Sequence, residues 1–237
     1  MIKLHKSNME VYVMNKIFKD WNLFEKILLF MSIILITISG FITKSEILTV
    51  LTSLASILCA LLQAKGKVIS QFVGVLVIIL YSIVSFRNQY YGEVIIYVLV
   101  LLPMYLVGIY SWITNTNDDT NTVKQSNLSK KEWIFLGFLN IILFGVLYCI
   151  LKSLNTSELV VSTLSMLASL MANYLIVRRN KYSFLFYLIN DMILVALWGI
   201  PVLKGEFSLI PLLMDPILLL ISDSYGLKNW NKNEKNL

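Results

Sequence analysis

The chain has 237 residues, a mean hydropathy of +0.75, 57% hydrophobic residues and 14% charged ones. A soluble domain carries roughly 25% charged residues, so this charged fraction is too small to coat a water-facing surface and the chain sits largely in lipid. The formal net charge is +6, but the basic residues lie between apolar runs, the distribution of membrane-protein loops and not of a nucleic-acid-binding face. Cys59 and Cys149 each stand inside an apolar run without metal or disulfide spacing, and read as ordinary packed or lipid-facing residues.

The polar-rich residues 1–26 do not read as a cleaved signal, because no small-residue cleavage site follows the first apolar run. Met14, Ile17, Phe18, Trp21, Phe24 and Leu28 recur there at helical spacing, with Lys16, Lys19, Asp20 and Glu25 opposite. That pattern predicts an amphipathic helix lying at the cytoplasmic interface. Eight apolar runs follow, at 27–43, 47–62, 68–86, 94–113, 133–151, 159–177, 183–203 and 207–225. Each is long enough to cross ~30 Å of hydrocarbon at about 1.5 Å per residue. The joints are short and polar except 114–132, whose Asn, Asp, Thr, Ser and Lys content predicts a flexible, solvated cytoplasmic loop. Residues 27–230 thus form a single all-α transmembrane domain, and 226–237 a cytoplasmic tail. Of the 20 Lys and Arg residues, all but Lys44, Arg87, Lys152 and Lys204 fall on the side that holds both termini. This bias places both termini in the cytoplasm and supports the even helix count.

Residues 51–103 resemble residues 164–216 at a constant offset of 113. Leu51 matches Leu164, Leu54-Ala55-Ser56 matches Leu167-Ala168-Ser169, Ser70 matches Ser183, Gly92-Glu93 matches Gly205-Glu206, and Pro103 matches Pro216. The Gly-Glu loop and the proline carry the weight, since apolar matches arise cheaply in membrane helices. Each copy holds three runs, 46–113 and 158–225, with 133–151 as linker helix and 27–43 as an accessory helix outside the repeat. Three spans plus one linker leave the copies parallel, the 3+1+3 arrangement of SWEET-type carriers, with a substrate site expected near the midplane between two three-helix bundles. Pro103 and Pro216 predict paired kinks and a hinge for alternating access.

No enzyme constellation stands out: His5 is the lone histidine, and the sequence has neither a phosphate-binding loop nor a metal-ligand cluster. No catalytic residue, metal or cofactor is expected. The informative residues are polar ones inside spans, which are costly in lipid. Asp191 and Asp215 lie near the middle of the seventh and eighth runs, with Asn190 beside Asp191. They read as a substrate hydrogen-bonding site or a proton-sensitive switch, or else as a helix-packing pair or protonated carboxyls bonded to backbone. Asp223, near a span end, is placed to snorkel to water. Phe186 lies one turn before Asn190, a plane beside an amide that suits a flat heteroaromatic ring. Gln71 shares a face with Gly74, Ile78, Ser82 and Ser85, and points into the site or bonds to water at the helix end. Small-residue faces at Thr49, Thr52, Ser53 and Ser56, and at Ser162, Ser165, Ser169 and Asn173, read first as packing surfaces. Trp112 and Tyr182 read as interface anchors.

Phe86-Arg87-Asn88-Gln89-Tyr90-Tyr91-Gly92-Glu93, with Tyr110-Ser111-Trp112 one helix later, resembles the PnuC family of vitamin transporters. Phe186-Tyr187-Leu188-Ile189-Asn190 is similar to that family's aromatic-x-x-x-Asn element, and Tyr225-Gly226-Leu227-Lys228-Asn229-Trp230 to its closing pattern. The resemblance covers Glu46 to Trp230. It departs at Ser183, where the family often has tryptophan, and at Phe186, which stands where tryptophan is common. The resemblance implies a plasma-membrane facilitator of nicotinamide riboside uptake for NAD biosynthesis. It also implies a homotrimer and metabolic trapping of the product by a cytoplasmic riboside kinase. Asn190 and Phe186 are then contacts to the nicotinamide, and Gln71 a polar contact from the first bundle. Relatives imply thiamine, riboflavin or deoxynucleosides as alternatives. The repeat alone equally allows a SWEET-like sugar carrier, and a membrane enzyme or assembly subunit is disfavoured by the absent catalytic set. Asp191 and Asp215 leave proton coupling open, against which the resemblance argues. Span centres without Lys or Arg offer a free phosphate no partner, which favours a riboside over a mononucleotide.

Overall fold

Helix α1 (Leu23–Ile42) opens on a capping box: the Asn22 side chain accepts from Glu25 N, and the Glu25 carboxylate accepts from Asn22 N. Trp21 and Asn22 lie outside the helix, so the predicted amphipathic helix does not run unbroken through Leu28. Trp21 instead packs against Leu28, Ile57 and Leu61, under the Lys65 ammonium 5.9 Å from its ring. The computed structural model describes residues 20–87, 91–117, 122–156 and 158–234. His5, the Met14-Ile17-Phe18 part of the predicted interfacial helix, and Asn88-Gln89-Tyr90 lie outside the described residues.

After α1 come α2 (Ile47–Ala64), α3 (Ile69–Arg87), α4 (Glu93–Thr114), α5 (Lys130–Ser153), α6 (Leu159–Val177), α7 (Ser183–Leu203) and α8 (Ile210–Glu234), the last entered through a single 3-10 turn, Phe207–Leu209. Among the described residues, eight helical segments are long and apolar enough to cross a bilayer, as the sequence predicts. Their outer faces are apolar and exposed: Phe135 is 64% and Ile141 72% accessible on α5, surface that only lipid solvates cheaply.

Three local differences matter. First, α8 runs to Glu234 and buries Trp230, so the expected tail from 226 is largely helix. Second, the described part of the 114–132 segment is docked. Thr116–Asn117 pairs antiparallel with Thr122–Val123, Val123 N donates to Gly66 O, and Ser126 N donates to Arg179 O. Gln125 Nε2 also donates to Trp230 O at 2.9 Å, so part of the segment's polar content is spent on the helix ends. Third, α4 contains a π-turn, Tyr97–Leu101, just before Pro103. Proline has no N–H and its ring crowds the carbonyl four residues back, and a widened turn relieves both.

Helix contacts form two groups of three. In the first, α2 packs on α3 and α3 on α4; in the second, α6 packs on α7 and α7 on α8. The groups meet by exchange, α4 on α6 and α8 on α2. Helix α1 packs on α2 and α8, and α5 on α6. At the basic end the exchange is reciprocal down to single hydrogen bonds. Ser111 Oγ and Trp112 Nε1, ending α4, donate to Val177 O and Ile176 O at 2.9 and 2.8 Å. Asn229 Nδ2 and Trp230 Nε1, ending α8, donate to Ala64 O and Gln63 O at 2.8 and 3.2 Å. Gln63 and Ile176 are 113 positions apart, as are Ala64 and Val177. The two indoles lie 6.1 Å apart. Trp112 is therefore buried inside this latch and is no interface anchor, whereas Tyr182 is 42% exposed. At the opposite end each copy closes its own ion pair, Glu46 with Arg87 at 2.8 Å and Glu158 with Lys204 at 3.3 Å.

Candidate functional site

A cavity of about 140 Å³ lies between the two three-helix groups. All six helices of these groups line it: Ser56, Cys59 and Gln63 from α2; Gly74, Ile78 and Tyr81 from α3; Tyr97, Leu101 and Tyr105 from α4; Ser169 and Asn173 from α6; Tyr187, Asn190 and Asp191 from α7; Asp215, Leu219 and Asp223 from α8. Helices α1 and α5 contribute no lining residue.

Hydrogen bonds fix the polar wall. Ser165 Oγ donates to Asn190 Oδ1 at 2.9 Å, which leaves the amide N–H donors of Asn190 for a ligand. Tyr187 OH donates to Asn173 Oδ1 at 3.0 Å, while Asn173 Nδ2 is held by Ser169 O at 2.8 Å. Ser56 Oγ donates to Asp215 Oδ1 at 2.5 Å. Gln63 Nε2 donates to Tyr105 OH at 3.2 Å. Gln63 thus faces the cavity with its side chain while its carbonyl receives the Trp230 indole. The Tyr81 and Tyr97 rings sit 5.2 Å apart. Gly74 is required for close approach: a Cβ there would run into the Tyr105 ring. No Lys, Arg or His lines the cavity among the described residues.

Of the residues singled out in the sequence, Asn190, Asp191 and Asp215 come together on this cavity. Phe186 does not line it. The ring packs with Leu136, Met171 and Leu175, toward the linker helix α5. Residues four apart in a helix differ by about 40° in direction, and here that separates the bundle face of Asn190 from the linker face of Phe186. Tyr187 takes the aromatic position in the wall. Gln71 is fully buried but outside the lining, with its amide against Gly108, where a Cβ would meet Gln71 Oε1. Asp223 does not snorkel; it is 3% exposed and lines the cavity, because α8 continues past it. Ser169, Asn173 and Ser56 belong to faces read first as packing surfaces. Cys59, Gln63 and Tyr81 carry no signal of their own in the sequence; the nearest is Gly74, whose missing side chain marks where Tyr105 enters.

A family model described as nicotinamide mononucleotide transporter matches residues 46–232. This chain belongs to that family. The matched span is nearly the Glu46–Trp230 segment that carries the PnuC resemblance. The chain is 23% identical over 221 residues to the nicotinamide riboside transporter PnuC of Neisseria mucosa, covering 92% of this chain and 84% of that one. It is 24% identical over 214 residues to the nicotinamide riboside transporter PnuC of Haemophilus influenzae, covering 90% and 91%. The fold is similar to the crystal structure of the vitamin B3 transporter PnuC, with a TM-score of 0.82 and 23% identity over 95% of this chain and 98% of that one. Family membership makes the chain a membrane transporter and not an enzyme.

Proposed function

We propose that this protein carries nicotinamide riboside across the plasma membrane by facilitated diffusion, for NAD biosynthesis. The observation that carries the reading is the cavity wall. An amide with free N–H donors, Asn190, stands among Tyr81, Tyr97, Tyr105 and Tyr187, at the junction of two three-helix groups. Such a wall suits a flat ring bearing a carboxamide. The names attached to the family and to the relatives differ by one phosphate. A phosphate needs Lys, Arg or helix N-termini to bind, and the lining residues include no basic side chain, so the riboside is the better fit.

Transport proceeds by rocking of the two three-helix groups, related as a parallel 3+1+3 repeat. The exchanged packing of α4 on α6 and α8 on α2, and the reciprocal latch, support that relation. The basic end faces the cytoplasm with both termini, by the charge bias of the loops. Flux follows the substrate gradient, and a cytoplasmic riboside kinase sustains it by phosphorylating the product. The functional unit is a homotrimer. Asn190, Asp191 and Asp215, joined by Tyr187 and Asn173, form the substrate contacts.

The test is uptake of labelled nicotinamide riboside into liposomes containing only this protein, with unlabelled thiamine, riboflavin, deoxynucleosides and glucose as competitors. The expected result is uptake that stops at equilibration and is blocked only by nicotinamide riboside. Displacement by another competitor moves the assignment to that ligand; absence of uptake with every ligand overturns it.

A further inference from the structure

Three cavities run from the non-basic end of the bundle to its centre. The outermost, about 80 Å³, is lined by Glu158, Glu206 and Glu93. The next, about 30 Å³, shares Glu93 and Ser162 with it, and shares Tyr81, Tyr97 and Asn190 with the central cavity. The centre adds Asp191, Asp215 and Asp223. The acidic side chains along this route come from α4, α7, α8 and the turns that precede α6 and α8. Lys204 is the only basic residue among those lining the three cavities, and Glu158 holds it at 3.3 Å. Glu93 and Glu206 are the paired positions of the two repeats.

No basic side chain lines the centre with these carboxyls. Asp215 receives one hydrogen bond, from Ser56. Asp191 is 1% exposed, and its Oδ2 receives none. Asp223 is 3% exposed and lines the same cavity, which adds a third carboxyl and no cation. Buried carboxyls without a cationic partner are costly, and a bound cation offsets that cost. Among the described residues no cluster of acids, histidines or cysteines converges as a metal site. The aromatic faces of the four cavity tyrosines carry the negative side of the ring quadrupole, which also favours a cation.

We infer that this route and cavity select an organic cation, a flat ring bearing delocalised positive charge such as a pyridinium, with the acidic wall of Asp191, Asp215 and Asp223 as its counter-charge. The inference rests on the reading of this cavity as the substrate site and adds a rule about charge. Oxidised nicotinamide riboside satisfies it and its reduced dihydro form, with the same ribose and carboxamide but a neutral ring, does not. Thiamine, whose thiazolium ring is cationic, satisfies it by the same chemistry.

The experiment is direct calorimetric titration of the full-length protein in nanodiscs with nicotinamide riboside, its reduced form and thiamine. The expected result is binding of the oxidised riboside about tenfold or more tighter than the reduced form, the scale of one desolvated charge contact. Asp215→Asn should shrink that ratio by weakening the cation and not the neutral ring, and Asp215→Glu should restore it. Oxidised and reduced ribosides binding alike would overturn the charge rule and leave the vitamin assignment standing. Binding of thiamine without either riboside would overturn the vitamin assignment and leave the charge rule standing. Should Asp215→Asn fail to fold, the ratio in the unaltered protein decides the matter alone.

Discussion

The reciprocal latch at the basic end makes a quantitative prediction about opening. Trp112→Phe and Trp230→Phe each keep a ring in the buried cluster with Ala64, Ile176 and Phe184 while removing one indole N–H. The acceptors are not orphaned by the change: Ile176 O also accepts from Arg179 N, and Gln63 O from Gly66 N, at 2.9 and 2.8 Å. The loss is therefore that of an ordinary neutral hydrogen bond, about 1 kcal/mol, and not the larger penalty of a buried unpaired group. If the basic end parts during the cycle, each bond stabilises only the closed form. Each substitution then raises the open fraction about fivefold, and the pair about thirtyfold. Cys59 is the reporter, since it is 5% exposed and lines the cavity. Cys149 is exposed, so the measurement uses a Cys149→Ser background. The alkylation rate of Cys59 by a water-soluble maleimide should rise by those factors, in proportion to the open fraction. A rate unmoved in both single variants and the double, with a lowered melting temperature, would mean that the latch only packs the bundle and that the helices part elsewhere.

Asn190→Ala should abolish nicotinamide riboside uptake at normal membrane abundance, since within the protein its side chain loses only the bond from Ser165, about 1 kcal/mol; unchanged uptake refutes the site. Phe186→Ala should do the reverse, lowering the melting temperature through a lost half-buried contact worth about 2 kcal/mol while sparing uptake. Gly74→Ala forces the Tyr105 ring out of the cavity wall, an overpacking cost of about 1–3 kcal/mol, and transport in liposomes should fall further than stability does. Glu25→Ala takes the carboxylate from Lys65, at 2.8 Å, which keeps only the Asp20 carbonyl and the Trp21 ring, and from the Tyr225 hydroxyl, at 2.7 Å, which keeps only the Asn22 amide, and it removes half of the α1 capping box. Truncating such a buried pair costs about 3 kcal/mol, and size-exclusion traces after heating should show earlier loss of the monodisperse peak.

What the sequence reveals and conceals follows from which groups do the work. Span lengths are set by bilayer thickness, so 159–177 and 183–203 coincide with α6 and α7: charges and asparagine stop both hydropathy and helix at the same residues. The last helix differs because Lys228, Asn229 and Lys232 end the apolar run but not the packing. Asn229 and Trp230 bond to the end of α2 and hold the chain helical to Glu234, which converts Asp223 from a terminal residue into a cavity residue. Facing is harder to read than length. A helix such as α7 is covered on two sides, by α6 and by α8, and periodicity marks both as apolar without saying which meets the cavity. Asn190 and Phe186 fall on either side of that boundary. The latch is the least legible part for a reason of chemistry. Its acceptors are backbone carbonyls, so Gln63 and Ile176, or Ala64 and Val177, need share no side-chain likeness to play matching roles. Its donors, Ser111-Trp112 and Asn229-Trp230, stand 118 positions apart and not 113. A comparison at one constant offset therefore finds the acceptor positions without chemistry and the donor chemistry out of register.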